Sequence, residues 1–236
     1  MILSCPSFII PGTYLDNLLR VRETGLVDSV ELLFFLFDGE TEELLNREID
    51  GIREASGEVG ITVHLPDDLG PDHETIVEMT SDFARHYVVH PAPADEEGFV
   101  RTVSRWRINY GDRFLLENLI ERSFDSLLER FDAAAERSRE EKPPGPMPVC
   151  CDTGHLLVRR ESPAGFLDRY GERVREIHLH GLDEGWDHNP FLPNEPWFVD
   201  LAPGLEEFEG IVNIEVFKEA HLNKVLEAMR SRKLIL

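Results

Sequence analysis

Cysteine is scarce in this sequence. The 236 residues include only Cys5, Cys150 and Cys151, an odd number in which two members are adjacent. This spacing excludes a disulfide framework and a CxxC metal knuckle. We therefore expect the chain in a reducing compartment, the cytoplasm.

Basic residues are also few, since 24 Lys and Arg stand against 46 Asp and Glu, for a formal net charge of −22. Proteins meet the phosphate backbone of nucleic acids mainly with Lys and Arg, so this charge argues against nucleic acid as a partner. It disfavours an anionic membrane surface for the same reason. We expect a small-molecule substrate, and the sequence carries no signal for the oligomeric state.

Long hydrophobic runs are missing as well. No window approaches the roughly 18 uninterrupted apolar residues of a membrane-spanning helix. Met1 to Pro11 lacks the charged start and long apolar run of a signal peptide. The apolar content of 42% and aromatic content of 9% still suffice for a large core, which excludes global disorder.

Short β-branched or aromatic runs alternate with longer stretches of helical spacing. Eight runs are predicted as strands: Ile2 to Ile10, Ser29 to Phe37, Gly60 to Leu65, Tyr87 to His90, Phe114 to Leu119, Val149 to Thr153, Val174 to His180 and Ile211 to Phe217. This pattern predicts an α/β fold, a (β/α)8 TIM barrel that forms one domain over residues 1–236. An open doubly wound sheet is the alternative, but no GxGxxG motif or P-loop follows a strand.

The connections between the runs carry their own signals. Thr13 is a predicted N-cap, Gly25 ends the first helix, and Lys218 to Arg232 is predicted as the closing helix. Pro91 ends the fourth run. Gly181 to Pro196 is the longest segment without a clear element, so it is either a functional loop or a misread one.

Possible metal ligands stand at or near the carboxyl ends of the predicted strands: Glu31, His64, His90, Glu117, Asp152, His155, His178, His180 and Glu215, with Asp187 and His188 in the long loop. In a (β/α)8 barrel those ends meet at one mouth, where active sites lie. His178 and His180 are two residues apart, so both can face that mouth. Mixed imidazole and carboxylate ligands favour zinc, manganese or iron.

Each of these residues also has a structural interpretation, because a single histidine at a strand end is more often hydrogen-bonded than metal-bound. Six of the nine histidines nevertheless occupy strand ends or the loop beyond, which chance placement does not explain. The aromatic residues of the long loop, Trp186, Phe191 and Trp197, either pin it to the barrel rim or contact substrate.

An ordered set of motifs spans nearly the whole chain: Val30-Glu31, Val63-His64, Leu116-Glu117-Asn118, Cys151-Asp152-Thr153-Gly154-His155, Ile177-His178-Leu179-His180 and Ile214-Glu215-Val216. Together they resemble the xylose isomerase-like TIM barrels, which include sugar isomerases and epimerases and the trinuclear zinc apurinic endonucleases. The resemblance implies a central metal site made by Glu117, Asp152, His178 and Glu215.

The same resemblance implies further ions. Glu117 would bridge to a second ion held by His64 and His90, as in the endonuclease branch. A third site would use His155, His180, Asp187 and His188. That branch has one residue between the Asp and the His of its loop, whereas here they are adjacent. We expect two or three divalent ions, zinc first and manganese or iron as alternatives, with a catalytic centre formed by Glu117, Asp152, Glu215 and His155.

Four sequence segments resemble the cobamide-remodelling phosphodiesterases more closely: Ser7 to Gly12, Val30 to Phe35, Thr62 to Pro66, and His178 to Gly181 followed by Asp187-His188. This resemblance implies hydrolysis of the nucleotide-loop phosphodiester of a cobamide, which leaves a phosphorylated cobinamide and an α-riboside. The predicted substrate contacts are Lys218, Trp186 and Trp197.

A single-metal sugar or sugar phosphate isomerase or epimerase is the alternative function, and a binding-only role with a structural metal is a third. Isomerisation needs one ion and a base, whereas phosphodiester cleavage uses clustered cations. The two additional imidazoles of His64 and His90 therefore favour the hydrolase.

We predict that duplex DNA with an abasic site is not a substrate. Basic side chains that neutralise DNA phosphates release counterions from the DNA, and this release supplies most of the affinity. A chain of net charge −22 is poorly suited to this interaction. Incision of an abasic duplex by the metal-loaded protein, measured at physiological salt, should not exceed that of a metal-free control. Efficient incision under these conditions would contradict the prediction.

Overall fold

Eight parallel strands close into a barrel in the computed structural model, which describes residues 1–67, 69–90, 95–120, 124–138 and 143–236. The strands of these residues are β1 (Ile2–Pro6), β2 (Ser29–Leu33), β3 (Gly60–His64), β4 (Tyr87–Val89), β5 (Phe114–Glu117), β6 (Val149–Asp152), β7 (Val174–His178), β8 (Gly181–Asp183), β9 (Trp186–Asn189) and β10 (Ile211–Asn213). The barrel order is β1-β10-β7-β6-β5-β4-β3-β2, so the predicted (β/α)8 barrel is confirmed. Pro91, expected to end the fourth strand, lies outside the described residues.

Helices connect the strands and surround the barrel: α1 (Tyr14–Thr24), α2 (Gly39–Ala55), α3 (Glu74–Thr80), α4 (Glu96–Tyr110), α5 (Phe124–Glu136), α6 (Thr153–Val158), α7 (Pro163–Tyr170), α8 (Pro196–Glu207) and α9 (Glu219–Ser231). Helix α1 begins and ends where the sequence predicts. The Thr13 side chain accepts the backbone N–H of Asp16, and Gly25 ends the helix with a left-handed φ of 60°. Over the described ranges, no helix has the length and apolar character needed to cross a membrane.

Several strands end earlier than the sequence predicts. The seventh predicted strand reaches His180 and the eighth reaches Phe217, whereas β7 ends at His178 and β10 at Asn213. Leu179, which follows the last residue of β7, is still fully buried. A strand predicted from the apolar pattern alone therefore extends past the last residue that pairs with a neighbouring strand. His180 and Glu215 therefore lie just past their strands, at the barrel mouth.

The barrel interior has an apolar side and a polar side. Val88, Leu115 and Cys150, on β4, β5 and β6, form a small buried apolar cluster. On the other side, hydrogen bonds join strands that are not neighbours: Thr62 Oγ1 donates to Glu176 Oε1 at 3.3 Å, and Asn213 Nδ2 donates to Glu31 Oε1 at 2.6 Å. Polar groups therefore fill the barrel directly below part of its mouth.

The segment from Gly181 to Pro196, read as a long loop, contains an antiparallel hairpin of β8 and β9. Glu184 and Gly185 at its turn have φ values of 50° and 88°. Two successive positive φ values match the type I′ turn, whose twist suits paired strands. Strands of three and four residues without apolar alternation leave no periodic signal, which is why the sequence pattern misses them.

Phe191 attaches the end of this hairpin to α8. Its ring is buried and lies 4.8 Å from the ring of Trp197 and 4.5 Å from that of Phe198, measured between centroids. Gly181 permits this approach, because a Cβ there would lie 2.9 Å from the Phe191 Cβ. Trp186, in contrast, is 77% exposed. The contacts of Phe191 and Trp197 match the structural interpretation of these two residues.

We predict that Phe191→Ala lowers the free energy of unfolding by about 3 kcal/mol, because it removes a buried ring that holds the hairpin on α8. Trp186→Ala is the matched control, and its exposed side chain should contribute within about 0.5 kcal/mol. Urea unfolding followed by circular dichroism measures both. Equal stability of the two variants would show that this contact does not hold the hairpin.

Candidate metal centre

A single buried carboxylate, Glu117 at the end of β5, occupies the middle of the barrel mouth. Its Oε2 atom lies 2.9 Å from His90 Nε2, 3.2 Å from His64 Nε2 and 3.6 Å from His178 Nδ1. Its Oε1 atom lies 3.2 Å from His155 Nδ1. The structure thus brings four of the predicted ligand histidines around one carboxylate, because parallel strands in a barrel direct their carboxyl ends to one side.

His64 and His90 each turn one ring nitrogen to the centre and the other to an acceptor outside it. His64 Nδ1 lies 3.0 Å from the Leu65 carbonyl oxygen, and His90 Nδ1 lies 2.7 Å from Asp67 Oδ1. A proton on Nδ1 leaves the Nε2 lone pair facing Glu117, which is the arrangement of metal-ligating histidines. Sequence reasoning missed Asp67, and the available signal was a carboxylate three residues after His64.

His178 also turns one ring nitrogen to the centre and the other to an acceptor, but here Nδ1 faces the centre and Nε2 faces the acceptor. Its Nε2 lies 3.2 Å from Glu31 Oε2, and its Nδ1 lies 3.1 Å from Glu215 Oε2. Glu31 also accepts from Asn213, so it is fixed where it receives the Nε2–H of His178. The lone pair of His178 Nδ1 then faces the centre. Glu31, which the sequence offers as a possible metal ligand, faces the outer ring nitrogen of His178 and orients this ring.

Asp152 ends β6 and is also the N-cap of α6. Its Oδ1 accepts the backbone N–H of His155 at 2.6 Å, and its Oδ2 lies 3.0 Å from His180 Nε2. Asn118 holds the backbone of Asp152 on both sides, donating to its carbonyl oxygen at 3.0 Å and accepting its N–H at 2.8 Å. The carboxylate therefore has a fixed position at the mouth.

The hairpin adds the adjacent pair Asp187 and His188 to the centre. His188 Nδ1 lies 2.9 Å from Asp187 Oδ1, and its Nε2 lies 3.6 Å from Glu215 Oε1. Asp187 Oδ2 lies 3.9 Å from His155 Nε2. Adjacent side chains in a strand normally face opposite sides, but His188 has a left-handed φ of 54°. This backbone conformation explains how both neighbours reach one site.

The centre opens into a cavity of about 120 Å³, lined by the ligand side chains on one side and Leu33, Phe34 and Phe35 on the other. Its described lining includes no lysine or arginine. Phe35 is 54% exposed beside it. The predicted substrate contacts Lys218, Trp186 and Trp197 do not line this cavity: Lys218 is the exposed N-cap of α9, and Trp197 packs on Phe191.

Protons compete for the ligand atoms of this centre. Burial opposes protonation of the imidazoles, but the facing carboxylates outweigh it and raise the pKa of His90 to about 10, of His155 to about 11 and of His188 to about 10. The facing histidines hold the pKa of Glu117 and of Glu215 well below the usual range, against the effect of burial.

The donor set fits divalent metal ions. Three buried atoms at the centre, His178 Nδ1, His90 Nε2 and Glu215 Oε2, lie within 3.1 Å of a facing nitrogen or oxygen atom but make no hydrogen bond of suitable geometry among the described residues. Side chains that offer ligand atoms within 4.8 Å of one another include the groups His64–Glu117–His178, His180–His188–Glu215, Glu117–Asp152–His155 and Asp152–His178–Glu215. Imidazole nitrogens and carboxylate oxygens in such groups are typical zinc ligands, and manganese or iron also accepts them.

Comparisons with known proteins show what this fold is similar to. No protein-family model and no curated protein matches the sequence. A solved D-tagatose 3-epimerase-like protein matches with a TM-score of 0.71 and 18% identity, over 99% of this chain and 97% of that one. Endonuclease IV from Thermus thermophilus matches with a TM-score of 0.64 and 16% identity, over 99% of both chains.

A third solved structure, D-psicose 3-epimerase with D-tagatose from Clostridium cellulolyticum, matches with a TM-score of 0.67 and 15% identity, over 100% of this chain and 99% of that one. The chain shares the closed (β/α)8 barrel fold of these proteins, as its pattern of strands and helices predicts. At identities below 20%, the structural similarity shows the fold alone. The reaction has to be inferred from the residues at the barrel mouth.

We predict that metal binding releases protons and tightens as pH rises. Because the facing carboxylates raise the pKa of His90 and of His188 to about 10, these two imidazoles are protonated at pH 7 and lose the proton when they become ligands. The apparent zinc affinity should increase at least about tenfold per pH unit between pH 6 and 8, for one proton released. Titration against a chelator of known affinity measures this. A pH-independent affinity would mean that the ligand atoms are already free of protons.

Proposed function

We propose that the protein is a metal-dependent phosphodiesterase whose centre holds two or three divalent ions. One observation carries this proposal: His64 and His90 both direct Nε2 to the same Glu117 oxygen, at 3.2 and 2.9 Å. A single-ion site needs neither imidazole, since Glu117, Asp152, His178 and Glu215 already supply four ligands. The additional histidines favour a second ion that shares Glu117.

The side chains divide among the ions as follows. Those of Glu117, Asp152, His178 and Glu215 would hold the central ion. His64 and His90 would hold the second ion together with Glu117. His155 and the Asp187-His188 pair would hold a third ion. When bound, such ions supply Lewis acidity to phosphoryl oxygens and lower the pKa of water toward neutrality.

The ions would also replace the basic residues that phosphate sites usually have. The described lining of the cavity has no lysine or arginine, and the chain carries a net charge of −22. Positive charge for a phosphodiester therefore has to come from bound cations and from protonated imidazoles. Hydrolysis adds water across one P–O bond, and a proton goes to the leaving oxygen.

We propose a cobamide as the substrate, opened at its nucleotide-loop phosphodiester to a phosphorylated cobinamide and an α-riboside. A cavity of about 120 Å³ takes only the reacting group, because sites for whole ligands occupy roughly 300 to 1,000 Å³. The bulk of the substrate would lie outside, where Phe35 and Trp186 are exposed and Lys218 adds a positive charge. The free thiols suit a reducing compartment such as the cytoplasm.

A sugar or sugar phosphate epimerase is the second candidate. It is supported by the four-ligand central set and by the epimerases among the proteins with a similar fold. Such an enzyme moves a proton between substrate carbons next to one ion. It would not depend on His64 or His90, which distinguishes the two candidates.

We predict that His64→Ala and His90→Ala each lower the saturating zinc content by one ion and the rate of phosphodiester cleavage by at least about 100-fold, because hydrolysis uses the second ion. Elemental analysis gives the zinc content, and chromatography of a cobamide reaction gives the α-riboside. His221→Ala on α9 is the matched control and should change neither. The phosphodiesterase proposal fails if cobamides stay intact while a ketose is epimerised by both variants.

A further inference from the structure

His180 differs from the other histidines of the centre in what its outer ring nitrogen faces. Its Nδ1 accepts the backbone N–H of His188 at 2.8 Å. A backbone N–H is only a donor, so Nδ1 holds a lone pair and the proton of the neutral ring is on Nε2. His180 Nε2 lies 3.0 Å from Asp152 Oδ2, a donor against a carboxylate.

The remaining histidines show the opposite arrangement. One ring nitrogen of each lies within 3.2 Å of a carbonyl or carboxylate oxygen, which is a hydrogen-bond acceptor. This holds for His64, His90, His155, His178 and His188. A histidine that binds a metal through one nitrogen carries its proton on the other and needs such an acceptor. If His180 bound a metal through Nε2, its Nδ1–H would point at the His188 N–H, and two donors would meet.

The His180 ring is also held in this orientation. The His188 ring stacks on it, with centroids 4.4 Å apart and planes at 8°. Gly154 lies so close that a Cβ at this position would overlap the His180 ring. The Thr153 hydroxyl accepts the backbone N–H of His180 at 3.0 Å. A flip of the ring would give up its hydrogen bond to the His188 N–H.

We propose that His180 is a positioning residue that donates from Nε2 to Asp152 and binds no metal ion. This role rests on the proposed metal centre and replaces the ligand role that the family resemblance implies for His180. Asp152 Oδ1 already accepts the His155 N–H, so the donor at Oδ2 fixes the plane of the carboxylate before an ion arrives. Donors of this kind change metal affinity by about 10- to 100-fold.

Metal stoichiometry separates a positioning residue from a ligand. His180→Ala should bind as many zinc ions at saturation as the wild type, with the affinity for one ion lowered about 10- to 100-fold. His180→Gln, which keeps an N–H donor at the end of its side chain, should recover part of that affinity. His178→Ala is the matched ligand control and should lose one ion. Loss of a full ion from folded His180→Ala would overturn the proposal.

A second measurement uses the unaltered protein, in case His180→Ala does not fold. Nitrogen-15 NMR of labelled histidines reports which ring nitrogen carries the proton. His180 should keep its proton on Nε2 in both the metal-free and the zinc-loaded protein, and its transfer to Nδ1 on loading would overturn the proposal. Neither measurement needs turnover. A protein that binds zinc but cleaves no phosphodiester would refute the proposed function alone.

Discussion

The carboxylate of Glu117 is buried among imidazoles, and the organisation of the barrel mouth depends on how its charge is compensated. An unpaired buried charge costs several kcal/mol, so positive charge has to be present around it. His90 and His155 lie within 3.2 Å and supply that charge when protonated, and a bound metal ion would supply it in their place. The raised imidazole pKa values and the fit to metal ions are two consequences of this one constraint.

Side chains outside the proposed ligand set determine which atoms face the centre. Glu31 and Asp67 accept hydrogen bonds from the outer nitrogens of His178 and His90. Asn118 fixes the backbone of Asp152, and His180 in our proposal fixes its carboxylate. Such partners set ring orientation and ligand basicity. The polar side of the barrel interior is therefore part of the site, because it contains the acceptor for His178.

The fold alone does not decide between the two candidate reactions. Proteins with the same barrel include epimerases and endonuclease IV, at identities of 15 to 18%. The features that favour hydrolysis are local: two histidines on Glu117 Oε2, a hairpin that brings Asp187 and His188 to the mouth, and a small cavity without described lysine or arginine. Reaction chemistry thus follows from residues placed on a shared scaffold.

Much of the fold and most of the ligand set follow from the sequence, because alternating strands and helices imply a barrel and barrel strands end on one side. Glu117 and Asp152 are the last residues of β5 and β6, so local pattern and topology suffice to place them at the mouth. The sequence pattern did not predict the hairpin or the contact of Asp67 with His90, because neither leaves a periodic signal. Only the tertiary structure decided that His178 and His180 offer different ring nitrogens to the centre. The position of a ring proton depends on partners such as Glu31, which is 147 residues away from His178.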